Sequence, residues 1–537
     1  MPGVVTHRMK PLRATLTAVA LAGALTASLT GEARAEGKTI TAVMQADVKI
    51  FDPIINTADI TARFAMMVWD TLFALDDNLV PQPQMVGKYG SSDDKLTWTF
   101  ELRDGLKWSD GTAVTSADIV PSLRRWAVRS GSGQILLQHT KDISAKDEKT
   151  FVIALKDKFP LLLSMMAGSA TPLCFMMRKR EAETDPMQKI DKIVGSGPFL
   201  FNEQETKPGT QYVYDKNPNY VPRSDPASGL AGGKVVHIDR AVYVNMPDSQ
   251  TAVAALQAGE IDFYEIPPID LLDQLQEDAN IVVENIFDVG DVGYVGINWL
   301  YPPFNNEKLR QSLLYIVNQV DMIRPTFANP KWYSTCGSYF TCGTPLANDA
   351  NDGWFKGGPN LDKAKALMKE GGYDGTPVVM LQATNIPYMM NAATVMAQEM
   401  RQAGYNVQLV PMDWANVVQR RSSKTPPDQG GWNIFFTSGD GAAMSNPYMV
   451  GGMATTGEKG WFGWPTDAKN EELRAQWFAA ETDNERKRIA ALIQENAWNI
   501  VPHMYFGQWV QPVAYRKSTK DWLHIPGVIP FWNVTKA

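Results

Sequence analysis

Trp98, Phe100 and Leu102 fall on every second position and alternate with Thr99 and Glu101, which predicts a strand with one buried face. Asp104-Gly105 and Asp110-Gly111 mark turns after it, and Thr115 with Asp118 forms a capping-box-like start for a helix through about Arg129. Ser249 is placed to cap a helix carrying Val253 and Leu256, which Gly259 ends. Leu309, Leu313, Ile316, Val317 and Val320 form one helical stripe after Asn305-Asn306. Leu361 to Glu370 reads as a short charged helix stopped by Gly371-Gly372, and Thr482 with Glu485 opens another helix before Ile489, Leu492 and Ile493. Phe159 to Met177 is uncharged, but Pro160, Gly168 and Pro172 interrupt it, so it reads as buried strand and turn and not as a membrane span. Helices alternate with short strands and no repeat is visible, so the class is α/β.

The chain has 537 residues, too many for a single core, so two to four domains are expected. Arg8, Lys10 and Arg13 precede an apolar stretch from Ala14 to Leu29, and Ala33-Arg34-Ala35 supplies a small-x-small site. That pattern predicts a signal peptide over 1–35, cleaved after about Ala35, and export to an oxidising compartment. Its removal takes away four basic residues and one acidic residue, moving the net charge from −7 to −10. Such a protein is a poor match for nucleic acid or anionic lipid. Cys336 and Cys342, six apart in CGSYFTC, are expected to close a small disulfide loop, which leaves Cys174 as a buried thiol.

Catalytic and metal signatures are missing. There is no G-x-S-x-G, H-E-x-x-H or C-x-x-C, and GLAGGKV (229–235) lacks the spacing of a phosphate-binding loop. Past the leader, His139, His237, His503 and His524 lie far apart without metal-ligand spacing. The expectation is a non-enzyme with no cofactor and no metal.

Several segments together resemble the family 5 extracellular solute-binding proteins. They are Phe51-Asp52-Pro53, the run from Trp69 through LFALDDNLVPQPQMVGKY to TWTFELRDGLKWSDGTAVTSADIV, and Val194-Gly195-Ser196-Gly197-Pro198-Phe199. AALQAGEIDF (254–263), INWLYPPFNNEKLRQSLLYIVN (297–318), DKAKALMKEGGY (362–373) and the aromatic-rich region from Asp413 to Pro447 follow in the right order. The resemblance implies the two-lobed periplasmic-binding-protein fold of the large peptide-binding cluster. Lobe I would comprise 36–290 plus 500–537, with an extra domain over about 70–190, and lobe II 297–499. Hinge strands are expected near Gly290–Asn298 and Trp498–His503. The implied function is the periplasmic, monomeric binding component of an ABC importer, taking a peptide or similar small polar solute to permease subunits in the inner membrane. A periplasmic hydrolase using the same cleft, or a receptor for a metal chelate or another solute, are the alternatives.

By the same resemblance, Trp414 matches a binding-site Trp and Arg421 a ligand-facing Arg of some relatives, although Trp414 could also be core and Arg421 a solvated surface residue. In peptide-binding relatives an amine-pairing Asp stands four residues before a Pro; here that Pro is Pro447 and the position holds Ala443. Asp440, in Gly439-Asp440-Gly441, either reaches the same volume or is a turn residue. The expected ligand face is Trp414, Arg421, Asp440 and Asn446, opposed by Asp47 and Val48.

Overall fold

The computed structural model describes residues 38–537 apart from 57, 169, 170, 287, 288, 449, 450, 526 and 527. The expected signal peptide and its cleavage site lie outside the described residues.

Two large sheets organise the chain. The seven-stranded sheet runs Ile281–Glu284, Val513–Arg516, Phe263–Tyr264, Thr39–Val43, Arg240–Val244, Gln211–Lys216, Phe199–Phe201. Thr39–Val43 lies at its centre, parallel to Arg240–Val244 on one side and to Phe263–Tyr264 on the other. The six-stranded sheet runs Tyr333–Ser334, His503–Trp509, Asp291–Ile297, Ile434–Asp440, Val378–Ala383, Val407–Met412. Six of the seven residues of Asp291–Ile297 are buried, the near-continuous apolar run of a strand covered on both faces. A separate antiparallel sheet of four strands is built from Val86–Ser91, Thr97–Leu102, Thr150–Leu155 and Thr140–Ala145.

The chain changes sheets twice. It leaves the seven-stranded sheet after Glu284 and enters the six-stranded one at Asp291; it returns between Trp509 and Val513. The expected return crossing at Trp498–His503 is therefore displaced: His503–Trp509 pairs with Asp291–Ile297 inside the six-stranded sheet. All seven of its residues are buried, so no alternation in the sequence reveals which sheet it joins.

Local signals set most element ends. Thr115 and Asp118 form the capping box of helix Ser116–Arg129, worth about 1 kcal/mol. Asn360 caps Leu361–Glu370, and Thr482 caps Asp483–Ile500. Helix Ser249–Ala258 ends at Gly259 as expected, but Asp248 is its cap, accepting from the Thr251 N–H at 2.8 Å. The stripe from Leu309 to Val320 is two helices, Glu307–Leu313 and Gln319–Phe327, because the Asn318 side chain caps a new start by accepting from the Val320 N–H. The apolar run after Phe159 forms a short helix, Leu162–Ala167, where a strand was expected; an uncharged run carries no period to separate the two.

The recognisable motifs turn out to hold the scaffold. Asp52 pairs with Arg125 at 2.9 Å, both side chains 1% exposed, and accepts from the Ile54 and Ile190 N–H groups. A Cβ on Gly195 would meet the Val68 carbonyl oxygen at 1.8 Å, so only glycine fits that approach. The Ser109 N–H of the WSDGT turn donates to the Gly195 oxygen at 2.8 Å and joins the two motifs.

Candidate functional site

A cavity of about 660 Å³ lies where the ends of the two large sheets meet. On the six-stranded side its wall is a row across three strands. Asp291 stands in register with Asp440 on one neighbour and with Trp509 on the other. Directly opposed residues on antiparallel strands have Cβ atoms about 4.5–5.5 Å apart, so the two carboxylates crowd each other. The strand ends are fixed by glycine: Gly290 has φ 58°, and a Cβ there would meet the Trp509 oxygen at 2.0 Å. The Gly441 N–H donates to the Gly290 oxygen at 2.8 Å and closes the two strands beside their aspartates. Tyr388, from helix Pro387–Ala403, packs on Trp509 with ring centroids 4.7 Å apart and shares a 3.1 Å hydrogen bond with Ser438. The result is an aromatic wall beside a pair of carboxylates.

The opposite wall comes from helix Asp59–Val68, in which nine of ten residues are buried. Asp59 and Arg63 sit one turn apart and both line the cavity. Arg63 Nε lies 2.5 Å from Glu265 Oε1, both side chains buried. The contact is a close ion pair not aligned as a hydrogen bond. Glu265 also accepts from the Gln45 N–H at 2.7 Å.

The electrostatics are one-sided. Burial, and then repulsion from Asp440 and Asp59, raises the Asp291 carboxyl to about 7, with Arg63 only partly opposing. Burial also raises Asp440, restrained by the Ala443 N–H that its Oδ1 accepts at 2.9 Å. Asp291 has neither a hydrogen-bond donor nor an ion-pair partner among the described residues. A recessed carboxylate in that position favours a cation arriving with the ligand. No group of three or more His, Cys, Asp or Glu among the described residues is arranged to hold a metal ion.

Of the residues expected at the ligand face, Asp440 lines this cavity, as the last residue of a strand and not as a turn residue. Trp414 and Arg421 stand together elsewhere. They open and close helix Trp414–Arg421, and the guanidinium lies 4.9–5.5 Å from the ring centroids of Trp414, Phe435, Trp461 and Phe462. Burial lowers the Arg421 pKa. Asn446 uses its side-chain oxygen to accept from the Tyr448 N–H at 2.8 Å. The Asp47 carboxylate is held by the Tyr212 hydroxyl and Lys49, and Val48 is 2% exposed in the core. Asp47, Val48, Trp414, Arg421 and Asn446 are not among the cavity-lining residues. Cys336 and Cys342 form a disulfide, with Cα atoms 5.9 Å apart, while Cys174 is a buried thiol. Gln508 ties that loop to the crossing, donating to the Cys342 and Val289 oxygens at 3.0 and 2.9 Å.

Asp59, Arg63, Glu265, Asp291, Tyr388 and Trp509 were not singled out from the sequence. Two signals pointed to three of them: an aspartate directly after a glycine at the end of each of two adjacent strands marked Asp291, and a charged i, i+4 pair in an otherwise apolar helix marked Asp59 and Arg63.

Residues 80–461 match the family model described as Bacterial extracellular solute-binding proteins, family 5 Middle. The chain is 44% identical over 506 residues, 94% of each chain, to a Sinorhizobium fredii protein named "Probable peptide ABC transporter periplasmic-binding protein y4tO". Its fold matches DppA from Helicobacter pylori in complex with the peptide STSA (TM-score 0.72, 19% identity, 93% of this chain and 98% of that one). It also matches a dipeptide-binding protein from Pseudoalteromonas sp. SM9913 in complex with Met-Leu (TM-score 0.72, 18% identity, 93% and 100%).

Proposed function

Because the chain belongs to the family 5 bacterial extracellular solute-binding proteins, we propose that its cavity takes a peptide by the ligand's ammonium, held between Asp291 and Asp440, and presents it to the permease of an ABC importer. The observation that carries the reading is the unpartnered Asp291 carboxylate, in register with Asp440 and flanked by Trp509. An ammonium placed there would relieve the repulsion between the two carboxylates and gain charge-assisted hydrogen bonds. Tyr388 and Trp509 offer apolar surface to the adjoining side chain. The name of the Sinorhizobium relative supports the peptide, the importer and a periplasmic location.

The two large sheets are the frames of the two lobes in this reading. Lobe I is 36–290 plus the segment from about 510, its extra domain (about 70–190) built on the four-stranded sheet; lobe II is 291–509, because Asp291–Ile297 belongs to the six-stranded sheet. Closure about the crossings at 285–290 and 510–512 would bring the Asp59–Val68 wall onto the Asp291–Asp440 wall. The two lobes of this reading also touch at a point remote from the cavity. Phe478, in the last turn of helix Ala468–Ala479, stacks on His139 and Phe159 at 5.1 Å, and Glu481 lies 3.3 Å from Lys95 and 3.8 Å from Lys158.

The cavity is read as a binding site and not a hydrolase. Ser438 hydrogen-bonds to Tyr388 and not to a general base, and a seryl nucleophile needs one. Calorimetry on ligand-stripped protein with Ala-Ala and N-acetyl-Ala-Ala tests the function. The free amine is expected to bind at least about tenfold tighter, and the peptide to be recovered uncleaved. Equal binding of the two, or cleavage, would contradict it.

A further inference from the structure

The charge of the cavity wall goes further than one ammonium requires. Among the described residues four carboxylates line it, those of Asp59, Glu265, Asp291 and Asp440, against a single basic side chain, Arg63. Arg63 is ion-paired with Glu265, its Nε 2.5 Å from Oε1, although neither its Nε nor its Nη1 makes a hydrogen bond. That pairing leaves three carboxylates uncompensated. Two are the in-register pair Asp291 and Asp440 on one wall; the third, Asp59, is exposed on the facing helix. The three carboxylates do not form a group arranged to hold a metal ion.

We infer that the cavity selects ligands with two cationic groups and no carboxylate inside it: the first cation sits between Asp291 and Asp440, and the second reaches Asp59. The inference rests on the peptide-binding reading above and adds its charge class, a peptide carrying a basic side chain whose own carboxylate is masked or lies outside the cavity. The physical reason is the mismatch that a zwitterion leaves. A neutral dipeptide brings one positive and one negative charge, so the net negative charge of the wall is unchanged, and the ligand carboxylate meets one guanidinium whose charge is already balanced by Glu265. The mutual effects of the acids agree with this placement. Asp59 pushes up the carboxyls of both Asp291 and Asp440, so the three share one electrostatic space.

Calorimetry at pH 8 on the full mature chain, stripped of endogenous ligand, tests this with a graded series. The probes are Ala-Glu, Ala-Ala, Ala-Ala amide, Ala-Lys amide and 1,5-diaminopentane. Affinity is expected to rise along the four peptides in that order, with Ala-Lys amide at least about fivefold tighter than Ala-Ala amide. In Asp59→Asn that last ratio is expected to fall below about twofold, since only the second cation loses its partner. The wild-type series decides the matter even if the variant misfolds. Equal affinity for the two amides, or tighter binding of Ala-Glu, overturns the charge inference and leaves the peptide reading standing. Binding of the diamine with no peptide bound overturns the peptide reading and keeps the charge inference. No binding of any probe overturns both.

Discussion

Replacing Asp291 with Asn is expected to stabilise the free protein and weaken its ligand, two effects of opposite sign from one missing charge. The Asp291 carboxyl titrates at about 7, against an ordinary 3.8. The groups that face it are Asp440 from the neighbouring strand, Tyr388 from helix Pro387–Ala403, Asp59 and Arg63 from helix Asp59–Val68, and Glu265 behind Arg63. Because the folded pKa lies above the unfolded one, the native state holds a proton that the unfolded chain has already lost between about pH 4 and 7. Stability therefore falls as pH rises through that window, and the penalty is complete above it. At 1.36 kcal/mol per unit the shift corresponds to roughly 4 kcal/mol at most. Water in an open cavity lessens it, so a gain of about 1–3 kcal/mol is expected for Asp291→Asn at pH 8. At pH 5, about one unit into that window, only about a third of the penalty has built up, so the gain should shrink to about 0.5–1 kcal/mol, and it should vanish below about pH 4. Binding moves the other way, because the ammonium loses one of its two carboxylates and the dissociation constant for Ala-Lys should rise about tenfold or more. Thermal melts at pH 5 and 8 with calorimetry at pH 8 measure both. A lower melting temperature at pH 8 together with an unchanged dissociation constant would refute the reasoning. It would show that Asp291 is a structural group with a partner of its own.

Three further outcomes are expected. Asp440→Asn should weaken Ala-Lys about tenfold or more by calorimetry, yet fold normally, because the Asn oxygen can still accept from the Ala443 N–H; an unchanged constant would return Asp440 to a structural role. Phe478→Ala, remote from the cavity, should cost the stacked contact with His139 and Phe159 about 1–2 kcal/mol and favour the open form. Small-angle scattering of the unliganded variant should show a larger radius of gyration, with the exposed pairs at Glu481 adding little. Serine at both Cys336 and Cys342 should lower stability by about 2 kcal/mol, read by denaturant unfolding, as the loop closed is short.

The sequence was most informative where a local device decides the structure. The Thr115–Asp118 box, the Asn360 and Thr482 caps and the Gly259 stop are each contained in four residues, and each element ends where those residues require. It was least informative where an apolar run has no period. His503–Trp509 could have joined either sheet, and Leu162–Ala167 could have been strand or helix. The cavity divides in the same way. Asp440 was visible as a carboxylate in the right region, yet its meaning depends on Asp291, which lies 149 positions earlier and meets it only through strand register. Trp414 and Arg421 were found by resemblance, and the structure joins them in a cluster of aromatic rings away from the cavity's lining. Arg63 gave no sequence signal beyond its charge in an apolar helix, because its partner Glu265 belongs to a distant strand end.

Native mass spectrometry of the protein purified from its own periplasm, beside the Asp291→Asn/Asp440→Asn double variant, tests the central claim most directly. The wild type is expected to carry an added mass that fragments as a peptide with a free amine, and the double variant to arrive without it. An acidic or amine-free ligand on the wild type, or the same ligand retained undiminished by the double variant, would contradict the account.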